Sequence, residues 1–438
     1  MVATDVTVAP RWVVSRAVAL PVVGAVLVLM LASSATPSPM YVIYQHQWQF
    51  SAGVLTLVFG VYAVAVLASL LVFGSLSDVI GRRPVLLIAT ALVLVSMLMF
   101  CVAHGVGWLM AARVVQGIGV GTATGALSAA LIELSPPHAP GRGTLISAIG
   151  PTLGQGIGSL GAGVLVQYAP HPTVLPYLLL VVGFTVLVVL GWYLPETAPG
   201  VGGAPRFRPR RMSIPAGAGR PFALLSMSIV ALWALGGLFA SLGPSFVVGL
   251  LHSENHVLGG LVIATLAGSG AVAQLVCARL STHRAILLGT AVLLVGVVAM
   301  IVALAVSSSA WFFAGGAVMG FGWGACFLGG FRAVSALASP TRRGELLAAL
   351  YVVAYLAMSV PSVVAGFASA SLGLRTTAIV FFVAVGGLAL AGLAALPVVR
   401  APRGEDSPVG DAPVGRGPSP CGMPCHVTCG VRLASETA

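Results

Sequence analysis

The sequence contains no lysine, and charged residues of any kind are scarce in it. Asp, Glu, Lys and Arg together make up 7% of the 438 residues, whereas about 25% is usual in soluble domains. Hydrophobic residues make up 58% of the chain, more than a soluble fold could cover with polar surface. Without lysine, the chain also lacks the phosphate-binding loop Gly-x4-Gly-Lys of ATP-driven enzymes. These absences argue against an enzyme and favour a protein embedded in a membrane.

Twelve apolar runs are long enough to cross a bilayer, which takes about 20 residues in a helix. Arg11 and Arg16 precede the first run as they would in a signal peptide, but this run is longer and eleven others follow it. We therefore expect an all-α membrane protein with twelve transmembrane helices, the first of them uncleaved. The runs lie near residues 17–39, 54–74, 84–104, 108–132, 144–168, 174–194, 222–250, 258–278, 286–306, 310–331, 346–369 and 376–398.

The formal charge of +11 raises the question of nucleic-acid binding, but the arginines are distributed in a different way. If the N-terminus is inside and twelve spans follow, only Arg375 falls outside and only Arg113 lies within a span. All other arginines fall on the inner side, which is the positive-inside pattern of membrane proteins. A nucleic-acid site would need one continuous basic face. We expect a multi-pass protein of the cell membrane with both termini cytoplasmic, the lipid bilayer as its surroundings and no nucleic-acid partner.

A polar, Pro- and Gly-rich stretch at 195–221 divides the chain into two parts with corresponding segments. We expect an N-terminal six-helix bundle in 1–194, a cytoplasmic linker in 195–221 and a C-terminal six-helix bundle in 222–398. The order of the corresponding segments indicates an internal repeat and two pseudo-symmetric bundles. The pairs are 39–43 with 244–248, 116–121 with 319–324, and 142–145 with 343–346.

The C-terminal residues 399–438 are polar and rich in Gly and Pro, and we expect a disordered cytoplasmic tail. They include a cluster of possible zinc ligands, Cys421, Cys425, His426 and Cys429. Structural zinc sites usually combine two separated pairs of ligands, and no second pair follows here. We therefore expect no metal and no cofactor.

A short charged hairpin separates the second and third apolar runs, and it contains a carboxylate close to two guanidinium groups. Its sequence is Gly74-Ser-Leu-Ser-Asp78-Val-Ile-Gly81-Arg82-Arg83-Pro84. This segment resembles the loop 2–3 signature, motif A, of the major facilitator superfamily of secondary transporters. The resemblance extends over about residues 12–398. It implies twelve helices in two bundles, with a substrate site between them at the middle of the membrane.

In the family that this chain resembles, the acid and the arginine of motif A form a charge cluster that joins the two bundles in the outward-facing state. The resemblance therefore implies that Asp78 and Arg82 belong to an inner gate, with Glu133 as the acid that completes the cluster. A plainer alternative is that Arg82 and Arg83 only fix the topology.

Arg113, Gln116 and Gly117 lie three or four positions apart in the fourth run, so they share one helix face. A guanidinium within hydrocarbon requires water or a partner. Arg113 either reaches the outer headgroups or faces the central cavity, which we favour. The pattern resembles motif B of the family, whose arginine is linked to proton movement or to anionic groups of the substrate.

Gly150, Pro151 and Gly154 belong to a glycine-rich run in the fifth span. Glycines at this density allow helices to approach closely, so an ordinary packing face would explain them. The run also resembles motif C, the antiporter signature associated with export, although upstream glycines of that signature are replaced here. This resemblance alone indicates the direction of transport.

If the repeat is correct, spans one, four, seven and ten line the cavity. We take five aromatic residues as cavity candidates: Tyr41, Tyr44, Trp233, Phe246 and Trp323. Aromatic walls with few polar groups suit bulky amphipathic molecules, including cations. Aromatic residues near span ends also form interfacial belts, so each assignment has this alternative.

These features favour proton-coupled efflux of amphipathic drugs or metabolites by a secondary transporter, a monomer as is usual in the family. No Asp or Glu lies near the centre of any span, so either the carboxylates at the gate bind the coupled proton or transport is not coupled to protons. An importer or facilitator of a small polar solute is an alternative within transporters. A nontransporting membrane receptor or scaffold is an alternative of another class.

Overall fold

The computed structural model describes residues 13–198, 213–214, 217–338 and 343–395, without the side chains of residues 343, 344 and 395. Every regular element in these ranges is helical, which confirms the all-α prediction. The expected tail at 399–438, with its cysteines, and most of the expected linker lie outside the described residues.

The helices are labelled in chain order, and a short 3-10 turn follows α10. Helix α4 is a single short helix within the charged hairpin. The helices are α1 (Arg16–Ala35), α2 (Pro37–Trp48), α3 (Ala52–Phe73), α4 (Leu76–Ile80), α5 (Arg82–Cys101), α6 (Val106–Glu133), α7 (Arg142–Tyr168), α8 (Leu175–Gly191), α9 (Gly219–Leu250), α10 (His256–Val276), α11 (Thr282–Val306), α12 (Ser309–Ser335), α13 (Arg343–Leu372) and α14 (Leu374–Ala395).

Eleven helical segments in the described ranges are long and apolar enough to cross a membrane. Helices α1 and α2 together form the first of them, Arg16–Trp48, which extends beyond the predicted end at residue 39. The predicted span ends too early because Tyr, Gln and His residues replace the aliphatic run after residue 39. The segment predicted as the sixth span is α8, a shorter apolar helix of 17 residues.

Contacts at both ends of α8 indicate that it runs the full length of the first bundle. Near its start, the hydroxyl of Tyr44 donates to the carbonyl of Thr173 at 3.4 Å. Just after its end, the carbonyl of Tyr193 accepts from the backbone N–H of Val14 at 2.9 Å. Val14 and Tyr44 lie at opposite ends of the first span, so α8 supports a twelfth crossing. We call the end with Val14 inner and the end with Tyr44 outer.

Polar side chains define where several helices begin. The oxygen of Ser51 accepts the N–H of Val54 at the start of α3, and Asn255 accepts the N–H of Val257 at the start of α10. Such caps satisfy N–H groups that have no partner within the helix. They fix the residues at which these apolar helices begin.

Glycines allow α6 to lie close to its two neighbours in the first bundle. Gly117 and Gly121 face α3, where an added Cβ would meet backbone atoms of Tyr62 and Val66. Gly119 faces the other way, and a Cβ there would lie 2.9 Å from the carbonyl of Ala89 in α5. Helix α6 is therefore packed between α3 and α5 through glycine.

Helix α12 repeats this arrangement in the second bundle. Gly320 and Gly324 face α10, and Gly322 faces α11. These three glycines are the counterparts of those in α6 that the sequence repeat predicts. Corresponding positions make corresponding contacts, so the two bundles share one internal plan.

The two bundles contact each other closely at the outer end. The hydroxyl of Ser159 in α7 donates to the carbonyl of Gly260 in α10 at 2.9 Å. The hydroxyl of Ser38 in α2 donates to the carbonyl of Ala240 in α9 at 2.7 Å. These backbone contacts require helices without bulky side chains between them. The structure is thus closed at its outer end.

We expect alanine at Gly163 or Gly260 to open this outer contact, because a Cβ at either position would meet backbone atoms of the facing helix. Overpacking of this kind costs about 1–3 kcal/mol, which corresponds to roughly a fivefold or greater shift toward an open outer end. The measurement is the rate at which a membrane-impermeant maleimide labels Ser38→Cys from outside, in a Cys101→Ser background.

Gly161→Ala and Gly268→Ala are the matched controls, since a Cβ at these positions has nothing within 4 Å. Equal labelling rates in all four alanine variants would contradict the role assigned to this contact.

Candidate functional site

The charged hairpin brings Asp78 and Arg82 together at the inner end of the first bundle, and Arg82 also reaches Glu133. Arg82 Nη1 lies 2.5 Å from Asp78 Oδ1, and Nη2 lies 3.4 Å from Glu133 Oε1. We call these three residues the inner charge cluster. Gly81, just before α5, has a φ of +96°, a conformation that favours glycine. Its backbone turn allows the chain to reverse so that Arg82 faces back toward Asp78.

The inner charge cluster lies wholly within the first bundle in this structure. Asp78 is 54% exposed, while Arg82 and Glu133 are 15% and 31% exposed. Within the described ranges, the hydrogen-bond partners of the three side chains all belong to α4, α5, α6 and the segment after α8. Residues 339–342, which precede α13, are outside those ranges. The expected bridge to the second bundle therefore stays a prediction.

Two residues that the sequence analysis placed in the linker, Glu196 and Thr197, join this site. The carboxylate of Glu196 accepts the backbone N–H groups of Arg82 at 2.8 Å and of Arg83 at 3.1 Å. A carboxylate is stabilised at a helix N-terminus, where N–H groups lack partners within the helix. The hydroxyl of Thr197 donates to Glu133 at 2.5 Å. The segment after α8 thus holds both α5 and the inner charge cluster.

Arg83 makes contacts of its own at the end of α8. Its Nε donates to the carbonyl of Gly191 at 3.3 Å, and its Nη2 donates to the carbonyl of Trp192. These carbonyls lie at the C-terminal end of α8, where a positive charge is favourable. Arg83 of α5 thus donates to carbonyls at the end of α8, and Glu196, which follows α8, accepts from N–H groups at the start of α5.

Arg113 is completely buried in the outer part of the first bundle, with 0% exposure. Its guanidinium donates to the hydroxyl of Tyr41 at 2.5 and 2.9 Å, and to the carbonyl of Ser34 at 2.9 Å. It also donates to Gln116 Oε1 at 2.7 Å. In this conformation Arg113 faces neither an open cavity nor the headgroups, and its role at the cavity stays a prediction. Polar groups of α1, α2 and α6 supply the partner that its charge requires.

Three aromatic rings surround the Arg113 guanidinium, at 5.6 Å for Tyr41, 5.2 Å for Tyr62 and 5.8 Å for Phe100. Contacts of this kind are attractive and gain strength where water is absent. Among the residues that the structure describes, no carboxylate forms an ion pair with Arg113. The positive charge is balanced by ring faces and oxygen dipoles.

Gln116 and Gly117 have separate roles beside Arg113. Gln116 Nε2 donates to the carbonyl of Ser33 at 3.0 Å, so its amide is paired on both sides. Gly117 allows α3 to approach, as described above. The three residues lie on one stretch of α6, as their spacing predicts. In this conformation Gln116 forms hydrogen bonds with Arg113 and Ser33, and Gly117 packs against α3.

Gly150 and Gly154 in α7 face α1, where a Cβ would meet Leu27 and the carbonyl of Val28. Pro151 lies inside the same helix. Gly156, on another face, lies opposite Ala264 of α10 in the second bundle. The run therefore forms a packing face toward both bundles, which was the plainer alternative. The export signature stays a prediction.

The five aromatic cavity candidates separate into two groups. Tyr41, Tyr44 and Phe246 are at most 2% exposed, so they do not line an open cavity in this conformation, and their cavity role stays a prediction. They lie in the outer half, which the contact between the bundles closes. Trp233 and Trp323 in the second bundle stay partly exposed and pack against a group of further aromatic rings.

The helical arrangement and the charged hairpin agree with a match to the sequence profile of the Major Facilitator Superfamily over residues 23–329. The chain belongs to this superfamily of transporters. A crystal structure of a bacterial homolog of the human lysosomal transporter Spinster, in an inward-facing and occupied conformation, has a TM-score of 0.72 to it. At 14% identity, covering 89% of this chain and 99% of the other, that likeness shows the fold.

Two relatives are similar over shorter stretches. Citrate exporter 1 of Aspergillus niger is 32% identical over 155 residues, which is 35% of this chain and 29% of that protein. Major facilitator superfamily domain-containing protein 10 of Bos taurus is 32% identical over 127 residues, which is 29% of this chain and 26% of that protein. The alignments thus span less than a third of either relative.

We expect Glu196→Ala to lower the free energy of unfolding by about 1–2 kcal/mol, because it removes the acceptor for two N–H groups of α5. The measurement is thermal unfolding of the purified protein in detergent. Glu254→Ala, in the exposed loop before α10, is the matched control and should leave the melting temperature unchanged. Equal melting temperatures for the two variants would show that the Glu196 contact contributes nothing.

Replacement by methionine should lower stability at one buried glutamine and not at another. Gln116→Met leaves an N–H of the buried Arg113 unpaired, which costs about 1.5–3 kcal/mol. Gln274 is 4% exposed, and neither its amide nitrogen nor its oxygen has a partner in the described ranges. Gln274→Met should therefore leave stability unchanged or raise it. Thermal unfolding of both variants tests this, and equal losses of stability would refute the difference.

Proposed function

We propose that the protein is a secondary transporter that exports amphipathic organic molecules by alternating access between its two bundles. The observation that carries this proposal is the pairing of a closed outer end with an aromatic surface in the second bundle. Trp233 and Trp323 stay partly exposed there. Such a surface suits the apolar part of a substrate better than a sugar-like solute, which would need many hydrogen-bonding side chains.

Export is supported by the glycine-rich run of α7, which resembles the antiporter signature, and by the likeness to a citrate exporter. Proton coupling is the second part of the proposal. Asp78 and Glu133 are the acids placed to take part, since they lie at the inner rim and share Arg82. Protonation of either carboxylate would weaken its attraction to Arg82, and so would loosen the inner charge cluster.

The remaining elements of the proposal concern the location and the partners of the protein. We propose that it acts as a monomer, the usual form in the family, in the cell membrane, with both termini cytoplasmic and with protons and a small organic molecule as its partners. Import or facilitated entry of a polar solute is the competing function within transporters. A receptor or scaffold role is the competing function outside them.

The test is extrusion of a panel of amphipathic fluorescent dyes from preloaded cells, with and without a protonophore. We expect extrusion that the protonophore slows and that Asp78→Asn reduces at least about tenfold at equal expression, because Arg82 then loses its main counter-charge. Glu254→Gln, in the loop before α10, is the control and should extrude at the normal rate.

Each contrary result points to a different function. Accumulation of dye inside the cells would reverse the direction. Unchanged extrusion with the protonophore would remove proton coupling, and normal extrusion by Asp78→Asn would remove the gate role of the inner charge cluster. If neither extrusion nor accumulation occurs with any compound, the receptor or scaffold function takes the place of transport.

A further inference from the structure

Three aromatic rings on α12 form a stacked series along one face of the helix. Trp323 and Phe327 have ring centroids 5.9 Å apart with planes 23° from parallel, and Phe327 and Phe331 have centroids 6.1 Å apart at 20°. The spacing of four residues places them on the same face. We call these three residues the ring ladder. All three are partly exposed, so their faces are not fully used by packing within the protein.

The orientation of the ring ladder is fixed at one end by a hydrogen bond. The indole N–H of Trp323 donates to the carbonyl of Leu232 in α9 at 2.9 Å. The indole also lies against Gly270 of α10, where a Cβ would come within 2.8 Å of the ring. An aromatic ring held in this way loses little freedom when a ligand stacks on it, which favours binding.

Ring contacts connect the ring ladder to α13, the helix of the second bundle that packs against the first. Trp233 of α9 lies 6.4 Å from Phe327 and makes an edge contact with Tyr355 of α13 at 5.0 Å. Helix α13 in turn packs against α3 of the first bundle, where a Cβ added to Gly60 would lie 3.9 Å from the Cβ of Ser359. The ladder is therefore connected through two rings to the boundary between the bundles, where a transported molecule passes.

A small cavity lies beside the ladder, between α9, α12 and α13. Trp233, Phe327, Phe331 and Tyr351 form part of its wall, and the other lining residues are aliphatic. No lining residue carries a charge. Its volume of about 20 Å³ holds roughly one water molecule. A larger group would therefore lie across the opening, against the partly exposed ring faces.

We propose that the ring ladder and Trp233 form a subsite for a planar aromatic group of the transported molecule. The inference rests on the proposed function and adds a substrate class to it, amphipathic molecules with an uncharged aromatic ring system. Planar rings gain from offset stacking beyond the burial of their area. A saturated ring of the same size would gain the burial alone, so the subsite should distinguish the two.

The test is binding of radiolabelled 2-naphthol to the purified full-length protein in lipid nanodiscs, with decahydro-2-naphthol as the saturated competitor. We expect 2-naphthol to bind at least about fivefold more tightly than its saturated counterpart. Phe327→Leu should weaken 2-naphthol binding about fivefold and change competition by decahydro-2-naphthol less than about twofold. Phe327→Tyr keeps the ring and should bind normally.

Phe381→Leu, on α14 and outside the cavity lining, is the matched control and should bind both compounds as the unchanged protein does. If Phe327→Leu does not fold, Trp233→Leu takes its place with the same expected result. Equal affinity for the two compounds, absence of 2-naphthol binding, or normal 2-naphthol binding by the folded leucine variant would each overturn the subsite.

The result is separate from that of the transport assay. A protein that binds 2-naphthol selectively but extrudes no compound keeps the subsite and loses the transport function. A protein that extrudes dyes but does not distinguish the two naphthol compounds keeps the transport function and loses the subsite.

Discussion

A charge is stable within a bilayer only where protein groups replace the water that it has lost, and this constraint explains where the charges of this protein lie. Arg82 is at the inner rim, where two carboxylates and solvent share its neutralisation. Arg113 is in the apolar interior, where no described carboxylate pairs with it and a hydroxyl, an amide and a carbonyl take that place. One arginine is thus paired with acidic side chains at a partly exposed rim, whereas the other is held by neutral groups inside the bundle.

The same constraint links the inner charge cluster to the packing of the helices. The guanidinium of Arg83 donates to backbone carbonyls, and the carboxylate of Glu196 accepts from backbone N–H groups, so both contacts require those backbone atoms to stay in position. Arg83 and Glu196 tie α5 to the end of α8 and the segment that follows it, so these elements of the first bundle are joined at its inner end. We therefore expect the inner end to open by movement of one bundle relative to the other. The outer contact, which glycines and small residues form, is where the bundles would move against each other. Rigid bundles with a deformable boundary are what alternating access requires.

Much of the fold and part of the candidate site could be predicted from the sequence, because the length of apolar runs, the positions of arginines and the spacing of glycines are local signals. Asp78 and Arg82 are four residues apart, and the hairpin alone predicts their contact. Glu196 could not be found in this way, since its partners are N–H groups 113 and 114 positions away in the chain. The sequence also required a partner for Arg113 but did not identify it, because Tyr41 is 72 positions away. Burial of the outer aromatic residues depends on the conformational state, which no residue pattern encodes.

The two bundles share a plan of packing but differ in chemistry. Corresponding glycines of α6 and α12 make corresponding contacts, yet the buried guanidinium of the first bundle has no counterpart among the described span centres of the second. There, α12 carries Trp323 and Phe327 instead. Arg113 has 0% exposure, so its charge serves the packing of the first bundle, whereas the rings of α12 stay partly exposed on the second. The shared glycines thus determine how the helices pack, and the residues between them determine the different chemistry of the two bundles.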